Sequence, residues 1–267
     1  MNNIYLDFAL EIAKTAGAIM KNNFVMNMKK ERKSDNTPVT ETDLAINNLI
    51  IEKIASNFPD HAVMGEEKSE EIISAKYMWI CDPVDGTVPF SHGIPNSTFS
   101  LGLIENGQPI VAVVYDPFMD RLFYASKGNG AFINGKPIKV GNYDNLTNVL
   151  IGMEWRKGTK SIWNYSAINE YLTETFNCQV LKYNSIIYKG MLVACGEFGA
   201  TMFPGKNPCD IVTVKLIVEE AGGKVTNLAG ENDRYDIQGN CFGMIASNGI
   251  LHNELLNIVK QNLNMQK

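Results

Sequence analysis

Trp79-Ile80-Cys81-Asp82-Pro83-Val84-Asp85-Gly86-Thr87 is the stretch on which the reading of this sequence turns. Its apolar start predicts a strand that runs into Asp82, because Pro83 has no N–H to give to a ladder. Asp85-Gly86 then turns the chain sharply. Thr87, Val88 and Pro89 predict a helix start, since proline is favoured in a first turn where its missing N–H costs nothing. Two carboxylates thus converge at a strand end, beside backbone N–H groups of a kind that bind phosphate well. Carboxylates alone repel phosphate, so divalent cations are needed between them. Against this stands the plainer alternative that isolated Asp-Pro and Asp-Gly pairs are surface turns.

Acids in comparable settings lie on either side. Gly65-Glu66-Glu67 follows Ala62-Val63-Met64, which places Glu66 at the end of a predicted short strand. Asp210 opens the predicted helix IVTVKLIVEEAGG, as an N-cap or as a metal ligand near the positive end of the dipole. Taken singly, Glu66 reads as a solvated charge and Asp210 as a cap. Competing chemistries have little support: His61, His92 and His252 sit in turn-like or helix-start sequence without a GxSxG elbow. His92, just past the aspartate loop, reads as a structural or supporting residue. No GxxxxGK[ST] loop is present, and Gly128, Gly130, Gly135 and Gly141 read as hairpin punctuation.

Farther out, the chain divides by texture. Ile4, Phe8, Ile12 and Ile19 predict an amphipathic first helix. Thr40 followed by Asp43, then Ile46, Leu49, Ile50 and Ile54, predicts a capped second helix that ends near Asn57. Residues 98–126 predict an antiparallel meander, with Asn106-Gly107 as one hairpin turn and Asn134-Gly135 as another beyond it. After Gly141 strands at 149–153, 180–183, 223–227 and 242–247 alternate with helices at 161–176, 186–195, 209–221 and 250–263. The expected fold class is α+β or mixed α/β, as one unit over 1–267 with approximate lobes 1–145 and 146–267.

Composition limits the partners. The 267 residues are 45% hydrophobic, enough for a substantial core, and the formal net charge is −5. That acidity, with no basic cluster beyond Lys29, Lys30, Arg32 and Lys33, predicts neither a nucleic-acid nor a membrane partner. Five cysteines without CxxC spacing predict a reducing compartment. With no signal-peptide pattern and no apolar run of membrane-spanning length, the expected location is cytoplasmic.

GEE at 65–67, DPVDGT at 82–87, and Asp210 followed by LIVEEAGG at 216–223 resemble, in order and spacing, the inositol monophosphatase family. The resemblance extends from Pro38-Val39-Thr40-Glu41-Thr42-Asp43 to Ala246-Ser247-Asn248-Gly249 and implies alternating layers of helix and sheet, αβαβα, as a homodimer. It implies a magnesium-dependent, lithium-sensitive phosphatase acting on a small-molecule phosphate monoester, with two or three Mg2+ per site. By position it assigns metal binding to Glu66, Asp82, Asp85, Asp210 and the carbonyl of Val84, with Glu66 also counted as catalytic. Asp43 and Thr87 are the implied pair that deprotonates the attacking water. The backbone N–H groups of Gly86 and Thr87 are implied for phosphate, and Asp85, Asn184, Ser185 and Asp210 for other parts of the substrate.

Three positions depart from the common pattern: Pro89 replaces Asn, Cys209 replaces Trp, and Phe203 falls about where inositol-hydrolysing members carry a ring-contacting Glu. The substrate therefore stays open among inositol monophosphate, histidinol phosphate, fructose bisphosphate and adenosine bisphosphate. Phe90-Ser91-His92-Gly93-Ile94-Pro95 resembles the first three of these branches more than the nucleotide branch. A catalytically weak regulatory protein on the same fold is the alternative of another class.

Overall fold

Ala9, Ile12, Ala13, Ala16 and Met20 are buried along one side of α1 (Ile4–Asn23), the spacing that turns a helical stripe toward a sheet. The structure is a computed structural model and describes residues 4–26, 28–32, 38–70, 75–154, 162–205, 207–235 and 241–263. A two-stranded hairpin, β1 (Lys30–Arg32) and β2 (Pro38–Thr40), leads into α2 (Glu41–Asn57). The Thr40 side chain accepts from the Asp43 N–H while the Asp43 carboxylate accepts from the Thr40 N–H, a complete capping box.

Next come β3 (Ala62–Gly65), β4 (Ser69–Glu70), β5 (Tyr77–Asp85) and the single turn α3 (Thr87–Phe90). The meander follows as β6 (Thr98–Glu105), β7 (Gln108–Asp116) and β8 (Arg121–Ser126), then β9 (Ala131–Ile133) and β10 (Lys136–Ile138). These form an eight-stranded sheet in the order β10-β9-β8-β7-β6-β5-β3-β4. Asn106 and Gly107 both have positive φ, as the β6–β7 hairpin requires.

The rest of the chain alternates: β11 (Leu150–Met153), α4 (Tyr165–Phe176), β12 (Gln179–Leu181), α5 (Ile186–Ala194) and β13 (Ala200–Phe203). A 3-10 turn at Pro208–Asp210 precedes α6 (Val212–Glu220), β14 (Lys224–Thr226), β15 (Met244–Ser247) and α7 (His252–Gln261). The second sheet runs β12-β11-β13-β15-β14, with β12, β11 and β13 parallel.

The layering is αβαβα, as the family resemblance implied. Strand β5 shows why: Trp79 and Cys81 pack with α1 and α2, whereas Met78 and Ile80 join the core between the sheets. A period-two strand buried on both faces needs cover on both. Ile187, Val214 and Ile217 of α5 and α6 fill the middle layer, and Leu172 and Leu255 of α4 and α7 cover the far face of the second sheet. Among the described residues no helix is long and apolar enough to cross a membrane.

The structure corrects three boundaries. Strand β5 continues through Pro83 to Asp85 instead of ending at Asp82, because a bulge lets Asp82 face Ser100 and Asp85 face Thr98 around the proline. The helix expected at 209–221 is split: Asp210 closes a 3-10 turn, and α6 starts at Val212 with no side-chain cap. Helix α4 starts at Tyr165, while Ser161, where the sequence reading began it, lies outside the described residues.

Candidate active site

Register brings the acids together. Strands β3 and β5 are parallel, with Gly65 opposite Cys81, so the residues that follow, Glu66 and Asp82, are neighbours. The Glu66 N–H donates to the Cys81 carbonyl at 3.0 Å. The bulge then carries Val84 and Asp85 around the end of the sheet, and the Val84 N–H donates to Asp82 Oδ1 at 3.0 Å. From the other half of the chain, the 3-10 turn packs on β5 and delivers Asp210. The carboxylates of Asp82, Asp85 and Asp210 each offer an oxygen within 4.8 Å of the others. Glu66 joins through Asp82, with which it shares a hydrogen bond.

Asp82 is buried, and its carboxyl is pushed well above the ordinary range, first by loss of water and then by the charges of Glu66, Asp85 and Asp210. Acids crowded this way hold their charge only beside a counter-charge. An all-oxygen donor set of this kind fits a hard divalent cation and not a soft metal.

Asp85 has a different environment. Its Oδ1 accepts from the Ile186 N–H at 3.1 Å, and its Oδ2 from the Ile187 N–H at 2.9 Å, from the Ser185 hydroxyl, and from Thr98 Oγ1 at 3.4 Å. It sits at the N-terminus of α5, where the dipole favours an anion. Ser185 is fully buried and its hydroxyl is engaged with Asp85, so the side chain implied for substrate lies behind the aspartate. The carbonyl of Asn184 approaches Gly86 instead. Gly86 has φ of 86°, and a Cβ there would stand 2.7 Å from the Asn96 carbonyl, so the turn admits no side chain.

On the opposite side Asp43 is fully buried at the start of α2. Thr40 supplies both its N–H, at 2.9 Å, and its hydroxyl, at 2.5 Å, to Asp43 Oδ2. Burial outweighs these bonds and pushes the Asp43 carboxyl up to about 6, with help from Glu67 and Glu66. Thr87 Oγ1 lies 3.0 Å from the Val84 carbonyl and 3.5 Å from Asp43 Oδ1. Thr87, Asp43 and the carbonyl of Val84 are thus adjacent, one residue from Asp85.

No histidine joins this group. His92 is exposed and meets Lys30 Nζ at 3.0 Å through Nδ1, His61 accepts from Trp79 Nε1, and His252 is buried between Thr226 and Ser247. Cys81 and Cys209 lie close by, but burial raises both thiols well above their usual value, which leaves them poor nucleophiles. Thr98 at Asp85 and the use of Thr40 on Asp43 are functional contacts not expected from the sequence. Thr40 had a signal in its capping position, whereas Thr98 had none, since only the bulge brings it to Asp85.

A model of the inositol monophosphatase family matches residues 2–264. The chain belongs to that family. It is 37% identical over 240 residues to inositol monophosphatase 2 of Solanum lycopersicum, covering 85% of this chain and 88% of that protein. It is 31% identical over 260 residues to the fructose-1,6-bisphosphatase/inositol-1-monophosphatase of Thermotoga maritima, covering 96% of each. A solved inositol monophosphatase structure, also from Thermotoga maritima, matches at a TM-score of 0.85 and 28% identity, over 96% of this chain and 97% of that one. Members of the inositol monophosphatase family are metal-dependent phosphatases, and this chain is a phosphoric monoester hydrolase.

Proposed function

We propose that the protein is a magnesium-dependent phosphatase that hydrolyses a small polyol or sugar phosphate, inositol 1-monophosphate or a close analogue, by direct attack of water. The observation that carries this reading is the convergence of Asp82, Asp85 and Asp210, where burial and the neighbouring acids push the Asp82 carboxyl well above its ordinary range. Glu66, Asp82, Asp85, Asp210 and the carbonyl of Val84 are the residues that would hold two or three Mg2+. Such ions supply Lewis acidity to the phosphoryl oxygens and acidify water.

The protein's own groups do the rest. The N–H groups of Gly86 and Thr87 receive phosphate oxygens, while Asp210 and the Asn184 turn face the alcohol. Thr87 Oγ1 orients the water and passes its proton toward Asp43 Oδ1. A carboxyl near 6 suits a general base at neutral pH. The water oxygen bonds to phosphorus as the bond from phosphorus to the ester oxygen breaks, and the leaving alkoxide takes up a proton from solvent water.

The alcohol itself is the finer part of the proposal. Phe203, at the end of β13, is buried with its ring over Gly205, and it offers no acceptor to a ring hydroxyl. The test is phosphate release, with and without Mg2+, from inositol 1-phosphate, histidinol phosphate, fructose 1,6-bisphosphate, adenosine bisphosphate and glycerol phosphate. Magnesium-dependent release from the polyol or sugar phosphates supports the reading, and no release from any of them refutes it. Lithium inhibition and a homodimer by light scattering belong to the same proposal, as does a cytoplasmic location, which the five free cysteines favour.

A further inference from the structure

We infer that Ser185 is a positioning residue for Asp85, fixing the aspartate toward the metal cluster by a hydrogen bond from behind. The inference rests on the metal-binding reading above. Three observations carry it.

The first is the direction of the hydroxyl. Ser185 Oγ caps α5 by accepting from the Tyr188 N–H at 3.2 Å, so its single proton is left for Asp85 Oδ2. One side chain thereby ties the start of α5 to a residue a hundred positions away in sequence.

The second is that the anchor is itself fixed. One turn beyond Ser185, Lys189 donates to Glu154 Oε2 at 2.9 Å and to the Met153 carbonyl at 3.3 Å, which pins α5 to the end of β11. Ser185 and Lys189 are both fully buried.

The third is the contrast within the cluster. Asp85 accepts from two backbone N–H groups and two hydroxyls. Among the described residues, Asp82 accepts from the backbone N–H of Val84 and shares a hydrogen bond with the acid Glu66. The fold therefore compensates and aims Asp85 with neutral donors, whereas Asp82 faces a second acid. Partners that orient a metal-binding group in this way typically account for about 10- to 100-fold in metal affinity.

The test is calorimetric titration of Mg2+ into metal-free wild type, Ser185→Ala, Ser185→Gly and Ser185→Thr, with no substrate present. Glycine is the second hydroxyl-free variant because it is tolerated at an N-cap and keeps α5 intact should alanine not fold. The alanine and glycine variants are expected to bind Mg2+ about 10- to 100-fold more weakly. Threonine, which keeps the hydroxyl, is expected to stay within a few-fold of wild type. A purely structural cap would lower Tm and leave Mg2+ affinity unchanged. A direct substrate contact would raise KM for the polyol phosphate alone. Either outcome in a folded variant overturns the role of Ser185 while leaving the metal reading intact. Failure of wild type to bind Mg2+ overturns both.

Discussion

Thr87 and Asp43 stand forty-four positions apart and meet only because α2 begins where β5 ends. Removing the Thr87 hydroxyl takes away no charge, so Thr87→Ala is expected to bind Mg2+ normally by calorimetry. Its single-turnover rate should fall by about 10²- to 10⁴-fold, the usual size of general-base assistance. An unchanged rate would remove the pair from the mechanism. Asp85 shows where residue-level reading stops. As the middle of Val84-Asp85-Gly86 it looks like a turn position that asparagine could fill, yet its oxygens face donors from Ser185, Ile186 and Ile187. An amide there would turn its own NH2 against a donor, a loss no local pattern reveals. Phe203 carries the selectivity prediction. Without a polar partner at that point, kcat/KM for inositol 1-phosphate is expected to stay within roughly 100-fold of that for histidinol phosphate, fructose 1,6-bisphosphate or glycerol phosphate. A preference of several thousand-fold would mean that another polar group holds the ring.

Among the elements, α5 links the two halves of the site. Its buried pair, Lys189 with Glu154, is almost without solvent exposure at 0% and 3% of the side chains. Breaking such a pair from one side strands a charge, so Lys189→Met is expected to cost about 3–5 kcal/mol in urea unfolding. Exchanging both partners for apolar residues of similar volume should recover most of that loss. Equal destabilisation in the single and double variants would show that the pair is not what matters. This ion pair was illegible in the sequence, because Lys189 lies in an otherwise apolar helix and nothing local points it at β11. The parallel register of β3 and β5 was equally hidden. Both strands were expected, yet only their pairing makes neighbours of Glu66 and Asp82. The meander was legible because Asn106-Gly107 and Asn134-Gly135 encode their turns locally. The 3-10 turn at Pro208–Asp210 was not, since its sequence runs unbroken into α6.

For the molecule as a whole, the layered fold was legible from the alternation of elements and from the family resemblance, while the closing of the site depends on contacts between its halves. Within the second half of the chain, one buried contact predicts a pH effect as well. His252, buried between Thr226 and Ser247, has its pKa lowered from 6.5 to about 4, first by burial and then by Lys224. The unfolded chain takes up this proton before the folded one does, so the contribution to stability is intact above about 6.5 and is lost as pH falls toward 4. Asp43, pushed up to about 6, works in the opposite sense, so the two must be separated by a variant. Between pH 6.5 and 4.5 the Tm of wild type is expected to fall relative to that of His252→Gln. Parallel curves would show that His252 takes no part. The central claim is that the converging acids make a magnesium-dependent phosphatase, and the most direct measurement of it is phosphate release by protein stripped with EDTA, titrated with Mg2+, beside Asp82→Asn under the same conditions. The account predicts no turnover when stripped, full recovery with Mg2+, and a loss of orders of magnitude in the folded variant. Turnover by the stripped protein at the rate of the refilled one, or by Asp82→Asn at the wild-type rate, would contradict it.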